Sequence, residues 1–165
     1  MRAQSKSLAY GALSTALAVV TLYLGSLLPT ARLALLCVSS LAVVLMCLRF
    51  DWRRALAVYG STAVLSLLIL PGKDMALAFA LLPGWYPIAK LRLERLSPPP
   101  VRFAAKLLLA AVVLLPALFL GKGYLASMPL PLWQLFVGGE LLFLIYDYAL
   151  TQIILLYMRK ISGRI

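Results

Sequence analysis

The sequence predicts an all-α integral membrane protein, a bundle of about six transmembrane helices with the N-terminus and the C-terminus in the cytoplasm. Two observations lead to this prediction, the apolar composition and the placement of the charges. Hydrophobic residues make up 64% of the 165 residues, well above the roughly 45–50% that is usual in soluble domains. A domain of this size has too little interior to bury them, whereas lipid tails solvate them directly. We expect residues 1–165 to form a single transmembrane helical domain.

Six apolar segments, separated by short breaks that carry charge, Pro or Gly, supply the predicted helices. A spanning helix needs about 20 residues, so the second, third and fourth segments depend on flanking residues or on local thinning of the bilayer. Pro83 and Pro87 kink the fourth segment, and five spans with one re-entrant segment are therefore the alternative. The six segments cover residues 8–28, 33–48, 55–70, 75–89, 103–120 and 132–158.

The basic residues indicate the topology. With the N-terminus inside, 13 of the 16 Lys and Arg residues fall at the inner ends of the segments, and only Arg32, Lys73 and Lys122 fall at the outer ends. This is the positive-inside pattern, and Trp52 and Trp133 are placed as interfacial anchors. Because the charges form no basic face or stripe, the net charge of +11 does not indicate nucleic-acid binding. We expect a multi-pass protein of the inner (plasma) membrane.

Catalytic and metal-binding residue patterns are missing from the sequence. It contains no His, no phosphate-binding GxxxxGK[ST] loop and neither HExxH nor GxSxG. Cys37 and Cys47 are ten residues apart in one apolar segment, about 15 Å along a helix, which is too far for a mutual disulfide. We therefore expect no enzyme activity, no catalytic residues, no metal site and no cofactor.

Two acids in the last segment are the strongest candidates for binding a solute. Glu140 and Asp147 are seven residues apart, so both project from one face of a helix. Acids within a bilayer usually face the bundle interior or a water-filled cavity. We predict that they bind substrate, together with Tyr23, Arg32 and Gln134 near the outer ends of the segments. The alternative is that both acids make structural hydrogen bonds or ion pairs with Arg or Lys at helix ends.

The first segment contains a pattern that is typical of close helix contacts. Ala12 and Ala16 form a small-xxx-small motif, which lets another helix approach because no bulky side chain intervenes. We predict a partner-docking surface here. Ordinary packing within the protein's own bundle is the alternative.

These features together resemble the S component, the substrate-binding membrane subunit of energy-coupling factor (ECF) transporters. The resemblance rests on six short helices, both ends inside, the Ala12-xxx-Ala16 motif and the lack of a nucleotide site. It implies binding of a vitamin or similar micronutrient from outside. It also implies that the small-residue face docks on a T component, which two ATPase subunits drive. The S component would then topple in the membrane to release the substrate inside. The loop after the first segment, residues 29–32, is shorter than the loop that often caps the substrate in that family.

Two other classes of function remain open at this point. A scaffold subunit, similar to the rod-shape-determining membrane protein of cell-wall synthesis, would use its small-residue faces for partner helices and its acids structurally. A proton-coupled solute carrier would instead titrate Glu140 or Asp147.

Overall fold

The structure is a computed structural model that describes residues 2–96, 99–120 and 131–162, and no strand occurs among them. A short 3-10 turn, Pro29–Ala31, joins the first two helices. The prediction of an all-α protein is confirmed. The helices are α1 Arg2–Leu27, α2 Arg32–Arg49, α3 Trp52–Ile69, α4 Lys73–Leu81, α5 Tyr86–Leu96, α6 Pro99–Leu120 and α7 Leu132–Ser162.

Three stretches of helix in the described residues are long and apolar enough to cross a membrane. They are Ser5–Leu27 in α1, Arg32–Arg49 as the whole of α2, and Trp133–Arg159 in α7. The prediction of about six such helices is therefore too high by this criterion. Helix α3 has 18 residues, but Arg53 and Arg54 in its first turn lower its hydropathy, and the apolar stretch found in α6 is the shorter Phe103–Leu115.

The fourth predicted segment, 75–89, is not one helix. It is divided into α4, with 9 residues, and α5, with 11 residues, each far below the roughly 20 residues of a spanning helix. Pro83 lacks the N–H that would continue the helical ladder, and the Gly84 N–H instead donates to the carbonyl oxygen of Phe79 at 2.8 Å. The kink expected from proline is thus a complete break.

The chain divides into two compact units, Met1–Arg95 and Leu96–Ile165. In the first unit α1, α2 and α3 pack against one another, and α4 packs against all three. The core of this unit is apolar and includes Leu22, Val43, Phe79 and Ile88. The expectation of a single domain over 1–165 stays a prediction.

The second unit consists of α6 packed against α7. Two contacts give the relative direction of these helices. Lys106 pairs with Asp147, and the Cα of Gly139 lies against Leu114, whose Cδ2 would be 3.2 Å from a Cβ on that glycine. Since the residue number rises along α6 as it falls along α7, the two helices are antiparallel.

Large apolar side chains cover much of the exposed surface of both units. Leu8 is 78% exposed, Leu68 73% and Leu108 68%. In water, extensive apolar surface of this kind marks an interaction site, whereas in a bilayer the lipid tails solvate it. The exposed surface therefore agrees with the membrane-protein class that the composition predicts.

Candidate functional site

A groove with a volume of about 530 Å³ lies between α1 and α3 in the first unit. Small and hydroxyl side chains dominate the α1 wall, where Leu8 is the exception, and the α3 wall contributes Ala57 and Ser61 among larger side chains. The α1 wall includes Ser7, Gly11, Ala12, Thr15 and Ala16, and the α3 wall includes Arg54, Ala57, Val58, Ser61 and Leu65, with Met46 of α2 between them. The groove thus runs along the surface where α1 packs against α3.

The two predicted docking residues lie on the wall of this groove. Ala12 and Ala16 are exposed and face the groove that α3 borders. One residue earlier in α1, Gly11 is directed at α2 and α3, since a Cβ there would make ordinary van der Waals contacts at 3.6 Å from Val58 Cγ2 and 3.7 Å from Met46 Cε. Gly11 therefore faces the protein's own bundle, while Ala12 and Ala16 remain uncovered by it.

A hydrogen bond between two hydroxyl groups joins α1 to α3 at the groove. Thr15 Oγ1 and Ser61 Oγ are 2.9 Å apart, and Thr15 is buried. Ser61 Oγ also lies 3.1 Å from the carbonyl oxygen of Val58 in its own helix, to which it donates, so Thr15 is the donor toward Ser61 when both bonds form. This contact fixes the spacing of the groove walls.

Only the α1 wall of the groove carries residues that were predicted from the sequence to dock a partner. In α3, Ala57 and Ser61 are four residues apart, as are Ala12 and Ala16 in α1, and both pairs line the same groove. The small-xxx-small spacing of Ala57 and Ser61 is the sequence pattern from which the α3 wall could have been predicted. Arg54, one turn earlier on the same wall, was interpreted only as an inner charge.

Two of the predicted substrate residues lie in the first unit. Tyr23 of α1 is exposed. Arg32, at the start of α2, donates from Nη1 to Oδ2 of Asp74 at 3.0 Å, and the two side chains are 44% and 56% exposed. Arg32 therefore joins the start of α2 to the start of α4, a structural contact that the sequence did not predict.

Lys73, beside Asp74, stabilises the end of α3. Its Nζ donates to the carbonyl oxygens of Leu67 and Leu70, which are in the last turn of α3 and just after it. A cation at the C-terminus of a helix satisfies carbonyl groups that have no partner within the helix and complements the helix dipole. This outer-end charge therefore has a structural role in the described chain.

The other predicted substrate residues lie in the second unit, on α7. Gln134 is exposed, and Glu140 and Asp147 are partly buried. Asp147 Oδ2 accepts a hydrogen bond from Lys106 Nζ at 3.0 Å, with side chains that are 16% and 12% exposed. Asp147 thus forms an ion pair, as the structural alternative describes, and its role in substrate binding stays a prediction.

Glu140 differs from Asp147 in its surroundings. Its Oε2 atom is buried and has no hydrogen-bond partner among the residues that the structure describes. A buried polar atom without a partner is costly in an apolar environment. Glu140 is therefore the acid that retains the capacity to accept a proton or a polar ligand.

No metal-binding cluster of His, Cys, Asp or Glu occurs in the described ranges. Comparisons with known proteins add no identification, since no family model, no curated protein and no solved structure matches the chain.

Proposed function

We propose that this chain is the substrate-binding membrane subunit of an ECF-type importer for a vitamin or other small micronutrient. The supporting observation is the exposure of Ala12 and Ala16 on the wall of the α1–α3 groove. In this proposal α1 docks to the T component, whose ATPase subunits supply the energy. The resemblance of the sequence to S components gives the specific class.

The groove suits a transmembrane helix of a partner. Association of helices in lipid depends on van der Waals packing, because the lipid tails are as apolar as the side chains. Small side chains at Ala12, Ala16 and Ala57 allow the partner's backbone to approach closely. The hydrophobic face of α1 that carries Leu13 and Leu17, both 59% exposed, offers no such opening and suits lipid.

We further propose that the chain crosses the inner membrane about six times, with both termini in the cytoplasm. The three stretches in α1, α2 and α7 provide half of these crossings. The alternation of basic residues along the sequence supports the remaining three crossings. In this proposal α3 and α6 each form a full span, and α4 and α5 together form one interrupted span. Interrupted helices are tolerated where protein buries the freed backbone groups, and Tyr86 and Phe79 are fully buried.

The substrate-binding residues in this proposal are those predicted from the sequence. Tyr23 and Arg32 are the candidates in the first unit, and Gln134, Glu140 and Asp147 are the candidates in the second. The substrate belongs to the small polar micronutrients. Native mass spectrometry of the purified protein should detect a tightly bound small molecule, whereas a scaffold subunit of a cell-envelope complex would carry none.

The docking proposal is tested by co-purification. The wild-type chain should isolate a T component and two ATPase subunits, and Ala12→Leu with Ala16→Leu should abolish their recovery because leucine fills the groove. The matched control is Ala34→Leu with Ala104→Leu, two exposed alanines outside the groove. Full recovery of the complex with the groove variant would refute docking at this surface.

One observation favours a second candidate, a proton-coupled solute carrier. The buried Glu140 Oε2 atom without a hydrogen-bond partner in the described chain is a suitable place for a transported proton. Uptake by the protein alone in vesicles should then follow a proton gradient, and Glu140→Gln should abolish it. Uptake that requires ATPase subunits and is unaffected by the gradient excludes this candidate.

A further inference from the structure

Arginines and aromatic rings are stacked together at one end of the first unit. The Cζ atom of Arg49 lies 4.5 Å from the ring centroid of Tyr10, and that of Arg54 lies 5.5 Å from the ring centroid of Phe50. The Tyr10 and Phe50 ring centroids are 5.9 Å apart. The two rings are tilted by 48°, and these contacts join the end of α2, the start of α3 and the first half of α1.

A second stack surrounds Trp52. The Cζ atom of Arg92, from α5, lies 4.1 Å from the Trp52 ring, and that of Arg53 lies 5.6 Å from it. Since Trp52 follows Phe50 by two residues, the α2–α3 turn connects the two stacks. The basic–aromatic cluster is the set Tyr10, Arg49, Phe50, Trp52, Arg53, Arg54 and Arg92.

The basic–aromatic cluster has a positive net charge, because Asp51 is the acid in the same turn and pairs with none of its four arginines in the described chain. Among the described side chains, none of its four guanidinium groups has a carboxylate partner, while Arg32 and Lys106 do have one. Arg53 and Arg92 bring two like charges to a single indole ring, and like charges at such separations repel each other. The arrangement therefore favours an anion from outside the described chain.

Contact with an aromatic ring is compatible with anion binding by the same guanidinium group. An aromatic ring attracts the planar face of a guanidinium. The N–H groups of a guanidinium lie at its edge, and their fork geometry matches the oxygens of a phosphate. A stacked arginine is also restricted in its rotamers, so less side-chain entropy is lost when a phosphate binds.

The position of the basic–aromatic cluster along the helices selects the kind of anion. Arg49 is the last residue of α2, which is a candidate span throughout its length, and Arg53 and Arg54 begin α3. The cluster therefore lies at the depth of the lipid headgroups. Trp52, which is 38% exposed, is of the type enriched at that depth. The abundant anions there are phospholipid phosphates.

We propose that the basic–aromatic cluster binds the phosphate of an anionic phospholipid, with Arg53 and Arg92 holding it beside Trp52. This is a defined lipid site, distinct from the general attraction of basic loops to an anionic leaflet. It does not rest on the proposed transport function, and neither Arg53 nor Arg92 lines the α1–α3 groove.

Native mass spectrometry of the full-length protein with phosphatidylglycerol and phosphatidylcholine of identical acyl chains tests the proposal. The wild-type chain should retain phosphatidylglycerol in about tenfold preference, and Arg53→Gln with Arg92→Gln should remove that preference, as expected for loss of charge-assisted bidentate hydrogen bonds. Arg53→Lys with Arg92→Lys keeps both charges without the planar fork, and should reduce the preference about threefold.

The matched control removes two positive charges elsewhere. Arg32→Gln with Arg159→Gln leaves the basic–aromatic cluster intact and includes an exposed arginine near the end of α7, and it should retain the wild-type preference. Equal retention of the two lipids by the wild-type chain overturns the proposal, and so does an equal loss of preference in the control pair. If the Gln pair does not fold, the wild-type competition and the Lys pair decide the outcome.

Discussion

Lys106 of α6 and Asp147 of α7 form an ion pair in the second unit, with 3.0 Å between Nζ and Oδ2. Both side chains are mostly buried, and the two residues are 41 positions apart in the sequence. Thr151, one turn later in α7, donates to the backbone carbonyl oxygen of Asp147 at 2.8 Å. The pair therefore connects the two antiparallel helices at a position where a single charge would be poorly solvated.

Removal of one member of this pair should be strongly destabilising. Asp147→Asn leaves the Lys106 charge without its carboxylate, and we expect a loss of about 3–5 kcal/mol. The double change Lys106→Met with Asp147→Leu should recover most of that loss, because it removes both members of the pair and leaves neither as a buried charge without the other. Thermal unfolding of the purified variants in detergent measures the difference, and single variants as stable as the wild type would show that water reaches the pair.

The ion pair between Arg32 and Asp74 should contribute little to the stability of the protein. Its side chains are 44% and 56% exposed, so water and salt screen the interaction. We expect Arg32→Gln to change the free energy of unfolding by less than about 1 kcal/mol. The same measurement in detergent at low and high salt tests this, and a loss comparable with that of Asp147→Asn would contradict it.

The Thr15–Ser61 hydrogen bond should make a modest contribution to the packing of α1 on α3. Thr15→Val keeps the shape of the side chain and removes the hydroxyl, and we expect a loss of about 0.5–1.5 kcal/mol, the range of hydrogen bonds between helices in membranes. Thr21→Val is the matched control, because the Thr21 hydroxyl donates at 2.7 Å to Leu17 within its own helix. Equal losses in the two variants would mean that the contact between α1 and α3 adds no stability.

Gly84 should not accept a side chain, whereas Gly60 should. A Cβ at Gly84 would lie 2.7 Å from the backbone oxygen of Phe79 and 2.6 Å from the Tyr59 ring, so Gly84→Ala should cost about 1–3 kcal/mol through overpacking. Gly60 lies within α3 and has no atom within 4 Å of such a Cβ. Gly60→Ala should therefore be neutral or stabilise by up to about 1 kcal/mol. Stability measurements that rank the two variants in the reverse order would contradict this account of the α4–α5 turn.

Much of the helix pattern was predictable because the breaks are local signals. The predicted segments 33–48 and 132–158 lie within α2 and α7, whereas 55–70 begins three residues after the start of α3 and adds Leu70, whose N–H still donates to Ser66. Asp51 and Pro71 follow the ends of α2 and α3 as expected, since such residues favour water or interrupt the hydrogen-bond ladder. Arg159 and Lys160 did not end α7, which continues to Ser162.

The break at residues 82–85 was not predictable to the same degree. Pro83 and Pro87 indicated a kink, but a proline in a long apolar run is often accommodated within one helix. At this break Gly84 packs against the Tyr59 ring, and the Tyr59 hydroxyl donates to the Ala80 carbonyl oxygen at 2.9 Å. A new helix, α5, then begins at Tyr86. These contacts join residues from different helices.

The sequence by itself determined the all-α membrane class, because hydropathy sums along the chain and each helix satisfies its own backbone hydrogen bonds. It also placed Ala12 and Ala16 on one helix face. Only the tertiary structure decided that Arg32 pairs with Asp74, that Asp147 pairs with Lys106 and that Ala57 and Ser61 complete the groove opposite Ala12 and Ala16. The physical reason is that such contacts depend on which helix faces lie opposite each other, and residues some forty positions apart leave no periodic signal for that choice.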